Sequence, residues 1–410
     1  MTLAELTAFW RSARRSADRS DELRLCAVMA SVYAIVGVQL PFLPIWLGAR
    51  GFDATEIAAL LAAPPAIRIF STLVSSRIAD RWRRHGAVLV VHLFGSALAF
   101  ALLGLTCGFL ATLAAIALLA MAQGPVNSLA DGMVLGEARQ RRLEGRGTLH
   151  YSFIRGFGSL AILVVLLASG PVAAAIPNGA LIWLIGGVAL AAAMSAFLAT
   201  SGLAGAGARR ETDVAEQPLE KPVLVAIVVA AATLILVSQA LSLGFASLHW
   251  KAKGFDDGFV SLGWSAALLT EVAFFFLAAR WFGGERNAAL HLSLSGAAAV
   301  ARWLWMASDP GALGILSAQA MHGLTCGAAQ LGPAYLLARL AGPTRLAQAQ
   351  GWLAAAYAAG LSLTTLACGP LYSRYGESSY LAMAAMAASG FVLSLAVKRA
   401  IDREERAPAR

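Results

Sequence analysis

The sequence has few charged residues. Only 13% of its 410 residues are Asp, Glu, Lys or Arg, about half of the ~25% typical of a soluble protein, which must wet its surface. It also lacks a P-loop, an HExxH motif and a nucleophile elbow, so neither an enzyme nor an ATP-driven pump is expected. Cys26, Cys107, Cys326 and Cys368 each stand alone in apolar sequence, which predicts no disulfide, no metal site and no cofactor.

Long apolar segments, each near the ~20 residues that cross a bilayer, are separated by short basic clusters. The pattern predicts an all-α membrane protein with about twelve spans, six in each half. The predicted spans are 25–48, 54–76, 86–106, 109–137, 149–170, 178–200, 223–248, 258–281, 287–307, 311–338, 347–369 and 378–398.

The distribution of positive charge predicts the orientation. Most of the 32 Lys and Arg residues fall in alternate loops on the side that holds both termini, while the opposite loops hold Arg50, Lys251, Lys253 and Arg374. Because cytoplasmic loops are enriched in Lys and Arg, both termini are expected in the cytoplasm. This bias accounts for the net charge of +9 without a nucleic-acid partner. No cleavable signal peptide is visible, so the first span is expected to act as the targeting signal. The expected location is the cell (inner) membrane, as a multi-pass protein.

The chain divides into similar halves. We predict a basic leader (1–24), two six-helix bundles (25–200 and 223–398), a polar cytoplasmic linker (201–222) and a cytoplasmic tail (399–410). Ala-Arg-Gly-Phe-Asp closes the first predicted span and Ala-Lys-Gly-Phe-Asp closes the seventh. Parallel repeats of this kind are typical of secondary transporters, with the substrate site between the halves.

The loop after the second span, Ser76-Arg-Ile-Ala-Asp-Arg-Trp-Arg-Arg84, carries a recognisable motif. It resembles the G-x-x-x-D-R-x-G-R-R signature of the major facilitator superfamily, with Ser76 and Trp82 where glycines are usual. The resemblance implies that superfamily's fold and a gating role for the loop; the alternative is that its basic residues only enforce topology. The implied gating residues are Asp80, Arg81, Arg83 and Arg84.

Further segments are similar to one branch, the 3-phenylpropionate permease group, which is related to lactose permease and the nucleoside–proton symporters. They are Phe42–Leu47, Pro64–Arg68, Tyr151–Ser159, Trp264–Glu271, His322–Thr325 and Ala349–Gly351. This resemblance implies proton-coupled import of a small organic solute by rocking of the two halves. An aromatic carboxylate is favoured over nucleosides and sugars. Proton-driven efflux of drugs or metabolites, and a receptor or scaffold without transport, stay open.

Charges inside the spans are the candidate functional residues. A charged residue at mid-membrane costs roughly 2.5–3.5 kcal/mol, so it usually faces a partner or a water-filled cavity. The excess of positive charge among these residues fits an anionic or polar substrate. They are Arg68, Asp131, Arg155, Glu271, Arg302 and His322.

Two pairs have competing interpretations. Asp131 and Arg155 occupy places similar to the acidic residue and arginine that contact sugar in lactose permease, or they form a structural ion pair between neighbouring spans. Glu271 precedes a run of phenylalanines, and burial among apolar groups favours the neutral form of a carboxyl. Glu271 is therefore a candidate proton carrier, unless Arg68, its counterpart in the first half, pairs with it and keeps it ionised.

Arg302 and His322 match an arginine and a histidine that act in proton coupling in lactose permease. Thr325 stands where that family has a glutamate, so the relay is incomplete, and a packing role for His322 stays open. The alternative for Arg302, which lies near the predicted outer end of its span, is snorkelling to the interface with Asp309 as an outside partner.

Uncharged polar side chains inside the spans add hydrogen-bonding groups. The candidates for lining a cavity are Gln39, Asn127, Gln239, Tyr335 and Tyr357, and further polar residues are Gln123, Gln319 and Gln330. The expected partners are a small-molecule substrate, protons and membrane lipids, and the protein is expected to function as a monomer.

Overall fold

Apolar segments that cannot leave backbone groups unpaired in lipid fold as helices, and all regular structure in the described residues is helical. The computed structural model describes residues 3–82, 84–144, 149, 151–201, 221–281 and 287–406.

Within the described residues, the first half of the chain contains seven helices. They are α1 (Leu3–Ala49), α2 (Ala54–Trp82), α3 (His85–Leu105), α4 (Phe109–Gln123), α5 (Val126–Leu143), α6 (Tyr151–Ala174) and α7 (Leu181–Thr200), with a 3₁₀ turn at Asn178–Ala180 before α7.

The second half also contains seven helices within the described residues. They are α8 (Pro222–Val237), α9 (Ala240–Ala252), α10 (Asp257–Trp281), α11 (Ala288–Ala307), α12 (Ala312–Ala320), α13 (Ala328–Tyr375) and α14 (Tyr380–Arg406). A π-helical turn at Gly323–Gly327 lies between α12 and α13, and a 3₁₀ turn at Gly376–Ser379 lies between α13 and α14.

Two predicted spans are interrupted at mid-length. The helical segment that begins with α4 breaks at Gly124–Pro125, where proline supplies no backbone N–H. The predicted seventh span breaks at Ser238–Gln239 between α8 and α9. There the Ser238 hydroxyl donates to the carbonyl of Ile235 (2.6 Å) and accepts from Trp303 Nε1 (2.9 Å). Side-chain bonding of this kind offers the backbone an alternative to the helical ladder.

Eight helical segments among the described residues are long and apolar enough to cross a membrane. Seven of them, from Ser20–Ala49 to Pro222–Ala252, correspond in order to the first seven predicted spans, and Gln348–Arg403 covers the last two. Helices α10, α11 and α12 lie where the remaining three are predicted. A total of twelve spans and the placement of the termini stay predictions.

At two predicted span ends the helix continues past the predicted boundary. Helix α1 continues before residue 25, and α13 runs without a break through 339–346, where a loop is predicted. A helix keeps its internal hydrogen bonds in water as well as in lipid, so a polar stretch that leaves the bilayer need not end it.

The described chain forms two compact units. Unit 1 contains residues 1–43, 67–168 and 179–211, and unit 2 contains 44–66, 169–178 and 212–410. The first part of α2 therefore packs within unit 2: a Cβ on Gly369 of α13 would lie 2.6 Å from the Cβ of Ala58. The bundles predicted at 25–200 and 223–398 stay a prediction.

Candidate functional site

Arg302 of α11 lies at the centre of a polar cluster in unit 2. Its side chain is 1% exposed, and it donates to Gln239 Oε1 (3.3 Å), to Thr325 Oγ1 (3.0 Å) and to Gln319 Oε1. The guanidinium also stacks over Trp303, with 4.6 Å from Cζ to the ring centroid. Each buried acceptor compensates part of the cost of removing the charge from water.

The prediction that Arg302 snorkels towards Asp309 is therefore wrong. Asp309 instead pairs with Lys253 and His249 in the connection between α11 and α12. The break between α8 and α9 places Gln239 beside Arg302, and α12 supplies Gln319. Because these amides accept hydrogen bonds from the guanidinium, a buried position is more favourable for it than a side chain extended to the membrane interface.

His322 connects Arg302 to an acidic side chain. Arg302 Nη1 lies 3.1 Å from His322 Nδ1, and His322 Nε2 lies 3.6 Å from Glu271 Oε2. The other carboxylate oxygen, Oε1, accepts from Gln330 Nε2 at 2.9 Å. The side chains of His322 and Glu271 are 13% and 20% exposed. The structure thus joins three of the predicted residues in one chain of polar contacts, which we call the Arg302 chain (Arg302, His322, Glu271).

The donor chemistry fixes the tautomer of His322. A guanidinium only donates, so Nδ1 must be the acceptor in its contact with Arg302. The ring proton is then assigned to Nε2, which points towards the Glu271 carboxylate. Glu271, His322 and Cys326 also have potential ligand atoms within 4.8 Å of one another. A metal would need the unprotonated Nε2 of His322, so this arrangement suits a proton better than a metal ion.

The π-helical turn at Gly323–Gly327 shapes this chain. Single π turns inside helices occur frequently at functional sites, and this one begins directly after His322. A Cβ on Gly323 would meet the backbone carbonyl of Thr270, and Gly323 N donates to Thr270 Oγ1 at 3.3 Å. The absent side chain lets the turn approach α10, which brings Glu271 within reach of His322.

A second polar cluster lies in unit 1 around Arg68 of α2. Arg68 Nη2 donates to Gln123 Oε1 at 2.7 Å, and Gln123 Nε2 donates to Gln39 Oε1 at the same distance. A Cβ on Gly124 would lie 2.8 Å from the carbonyl oxygen of Arg68, so the helix break lets α4 approach α2. We call these residues the Arg68 chain (Arg68, Gln123, Gln39). Pairing of Arg68 with Glu271 stays a prediction.

Arg155 of α6 contacts an aromatic ring that the sequence does not single out. Its Cζ lies 3.9 Å from the ring centroid of Tyr33 in α1, a close cation–π contact. Arg155 and Asp131 both lie within electrostatic range of the Tyr33 hydroxyl. A Cβ on Gly158 would lie 2.6 Å from Tyr33 Cδ2, so glycine makes room for the stack. A direct Asp131–Arg155 pair stays a prediction.

The remaining predicted residues lie as follows. Asn127 is exposed, while Tyr335 and Tyr357 are half-buried, and their role as cavity lining stays a prediction. Arg81 is exposed in the last turn of α2, and Arg84 is exposed just before α3. Arg83 and the side chain of Asp80 lie outside the described residues, and the gating role stays a prediction.

Sequence reasoning did not assign a role to several side chains of these clusters. Gln123, Gln319 and Gln330 stand out only as polar residues in apolar spans, and Thr325 only as a residue that does not titrate. For the glutamines, this polarity is the feature of the sequence that could have indicated a role in the clusters. Tyr33 carries no signal, because a tyrosine in an apolar helix is usually a packing residue.

Comparison with known proteins places the chain in a family. The model of the MFS_1 like family matches residues 23–382. The "Probable 3-phenylpropionic acid transporter" of Escherichia coli (strain K12) is 24% identical over 359 residues, which cover 86% of this chain and 91% of that protein.

Solved transporters share the fold. A mutant of the nucleoside transporter NupG aligns with a TM-score of 0.78 and 14% identity, covering 92% of this chain and 99% of its own. The human organic anion transporter MFSD10 (TETRAN) aligns with a TM-score of 0.61 and 13% identity, covering 92% and 99%. The apolar helices, the polar clusters inside them and the family match lead to one conclusion: this multi-pass integral membrane protein belongs to the MFS_1 like family of major facilitator transporters of small solutes, and is not an enzyme.

Proposed function

We propose that the protein is a proton-coupled symporter that imports a small aromatic carboxylate of the 3-phenylpropionate type. The observation that carries this proposal is the Arg302 chain, in which a buried arginine is linked through His322 to the carboxylate of Glu271. We further infer that it works in the cell (inner) membrane as a monomer, with the two halves alternating access.

Glu271 is the proton carrier in this proposal. Because Arg302 donates to His322 Nδ1, a second proton on that ring would meet the guanidinium and break the contact. An added proton therefore goes to the Glu271 carboxylate, whose Oε1 is held by Gln330 at 2.9 Å. Protonation removes a charge from the membrane interior, where charges are costly. This difference between the two states links proton binding to the conformational change, and the inward proton gradient supplies the energy.

The fixed cations of unit 1 favour an anionic substrate. Arg68 of the Arg68 chain donates to the amide of Gln123, which donates to Gln39, and its guanidinium carries a permanent positive charge. Arg155 presents a guanidinium beside the aromatic ring of Tyr33. A carboxylate can bind such a cation through charge-assisted hydrogen bonds, and a phenyl ring can pack against an aromatic one. The E. coli relative is described as a probable transporter of such an acid.

A nucleoside is the second candidate substrate, and the likeness in fold to the nucleoside transporter NupG favours it. A nucleoside carries an aromatic base but no carboxylate, so its uptake would depend on Tyr33 more than on the charge of Arg155. Efflux and solute sensing without transport are the remaining alternatives, and direction of flux separates them.

The test is uptake of radiolabelled 3-phenylpropionate into proteoliposomes under an inward proton gradient. We expect accumulation that collapses with a protonophore. Glu271→Gln should abolish accumulation while exchange of labelled for unlabelled substrate continues, because a permanently neutral side chain cannot release a proton. Glu56→Gln is the matched control, since this carboxylate bonds to the backbone N–H of Asp53 at the start of α2 (3.0 Å) and should leave accumulation unchanged.

Normal accumulation and normal pH dependence in Glu271→Gln would remove Glu271 from the mechanism. Accumulation of a nucleoside but not of 3-phenylpropionate would replace the first substrate class with the second. Binding of a solute without any flux would support a sensor.

A further inference from the structure

Three side chains capable of binding a metal converge at one end of unit 2. His249 lies in the last turn of α9, Asp309 in the connection between α11 and α12, and Glu377 in the turn after α13. Their potential ligand atoms all lie within 4.8 Å of one another. We call these residues the loop cluster (His249, Asp309, Glu377).

We propose that the loop cluster is a binding site for a divalent transition-metal ion of the Zn²⁺ type. One imidazole and two carboxylates form a donor set that Zn²⁺ accepts, with water completing the tetrahedron. Bonds of about 2.1 Å place neighbouring ligand atoms about 3.4 Å apart. His249 Nε2 and Asp309 Oδ1 are 3.1 Å apart, close to this spacing, and a potential ligand oxygen of Glu377 lies within 4.8 Å of the ligand atoms of both.

The surroundings of His249 resemble those of a metal ligand. Its side chain is 12% exposed, and its Nδ1 lies 3.0 Å from the hydroxyl of Tyr372 in α13. A metal-binding histidine almost always donates its second ring N–H to an oxygen, which fixes the tautomer and the ring orientation. The Asp309 carboxylate can only accept, so Nε2–H of His249 donates to it at 3.1 Å. A metal ion must displace this proton, after which Nδ1–H can be donated to Tyr372 and the Nε2 lone pair can bind the ion.

Asp309 is charged, accessible and conformationally unusual. The Lys253 ammonium, which donates to its carboxylate, lowers the pKa of Asp309 below its usual value. The side chain is 42% exposed, so an ion can reach it from water. Its φ of 50° lies in the left-handed region that non-glycine residues rarely adopt. Such outliers concentrate at functional sites, where the surrounding structure holds them.

Lys253 is the competitor for this site. Its Nζ donates to Asp309 Oδ1, to the carbonyl of Asp309 (3.2 Å) and to the carbonyl of Pro310 (2.9 Å). A divalent ion must displace this ammonium from the carboxylate or bind against its repulsion. Removal of the lysine charge should therefore strengthen metal binding, whereas a purely structural ion pair predicts no such gain.

The experiment is calorimetric titration of ZnCl₂ into the purified, tag-free protein in detergent. We expect one ion per chain, with affinity reduced at least about ten-fold in His249→Gln and in Glu377→Gln. Lys253→Gln should raise the affinity about ten-fold, because it removes a like charge roughly 4 Å from the ion. Lys251→Gln is the matched control: this lysine, two residues away, pairs with Asp257 at 2.9 Å and should leave the affinity unchanged.

The absence of zinc-dependent heat in both the wild type and Lys253→Gln would overturn the proposal. So would binding that His249→Gln and Glu377→Gln leave intact. The measurement requires no transport, so its outcome is independent of the proposed symport. The gain in affinity of Lys253→Gln keeps the test decisive even if a loss-of-ligand variant folds poorly.

Discussion

The Arg302 chain and the Arg68 chain both hold an arginine inside an apolar helix, but the two chains end in different groups. In each, an arginine inside an apolar helix donates to the Oε1 of a glutamine, Gln319 in one and Gln123 in the other. The Arg68 chain continues to the amide of Gln39, whereas the Arg302 chain continues through a histidine to Glu271. Of these two chains as defined, the Arg302 chain alone ends in a group that titrates.

This contrast indicates a division of roles between the two halves of the chain. The guanidinium of Arg68 carries a fixed positive charge, and under the proposed function this charge attracts the anionic substrate. An arginine linked to a carboxylate through a neutral imidazole senses whether that carboxylate holds a proton. Matched substitutions in the two chains test this division.

Removal of the two arginine charges should destabilise the protein unequally. Arg302 is 1% exposed and serves several buried acceptors, so Arg302→Met should cost about 3–5 kcal/mol by leaving them unpaired. Arg68 is half-buried, and Arg68→Met should cost about 1–2 kcal/mol because water can replace part of what is lost. Thermal unfolding of both variants in the same detergent measures the difference. Equal shifts in Tm, or a larger shift for Arg68→Met, would show that burial does not separate the two chains.

The helical membrane fold and most of the charged members of these chains are predictable from the sequence. Charge in an apolar span is costly, so Arg68, Glu271, Arg302 and His322 are conspicuous from their sequence positions alone. The order of the first seven spans is likewise predicted from apolar segments of suitable length.

The sequence does not predict in the same way which side chains contact one another. Those contacts depend on local departures from the α-helix: the break at Ser238–Gln239, the break at Gly124–Pro125 and the π turn at Gly323–Gly327. Each changes which residues share a helix face, so a regular 3.6-residue period assigns them wrongly. The snorkelling prediction for Arg302 failed because it considered distance to the span end and not the amides that converge on the guanidinium.

In each of the two chains, a glycine lets neighbouring helical segments come close enough for the polar contacts to form. Substitution of each glycine by alanine tests this close packing. Gly323→Ala places a Cβ against the backbone carbonyl of Thr270; because neither backbone can yield cheaply, we expect a cost of about 1–3 kcal/mol. It should also separate Glu271 from His322 and reduce proton-driven accumulation.

Gly124→Ala is the counterpart, with its Cβ 2.8 Å from the carbonyl oxygen of Arg68 and 3.1 Å from Ser71 Cβ. It should also destabilise the protein, while the response of uptake to the proton gradient stays normal. Thermal unfolding and uptake at two external pH values measure both effects. Loss of the pH response in Gly124→Ala instead of Gly323→Ala would show that coupling belongs to the Arg68 chain.

The weakest expected effect concerns the ion pair Lys253–Asp309. This pair lies outside the spans, where water screens the charges, and so it contrasts with the buried Arg302. Lysine donation lowers the pKa of Asp309 below its ordinary value of 3.8. The native state therefore binds fewer protons than the unfolded state between the two pKa values, and stability there rises with pH. The contribution is complete at neutral pH and is lost as pH falls through the native pKa.

Because Asp309 is 42% exposed, Lys253→Gln should cost less than about 1 kcal/mol at pH 7. That cost should decline as pH falls below 3.8 and through the lowered native pKa of Asp309, leaving only the lost contacts to the two carbonyls. Arg302→Met should keep most of its cost across the same range, since Gln239, Gln319 and Thr325, which accept from the guanidinium, do not titrate. Unfolding midpoints of the wild type and both variants from pH 7 to pH 3 decide this, and a pH-independent Lys253→Gln difference would mean that packing, not charge, holds the connection between α11 and α12.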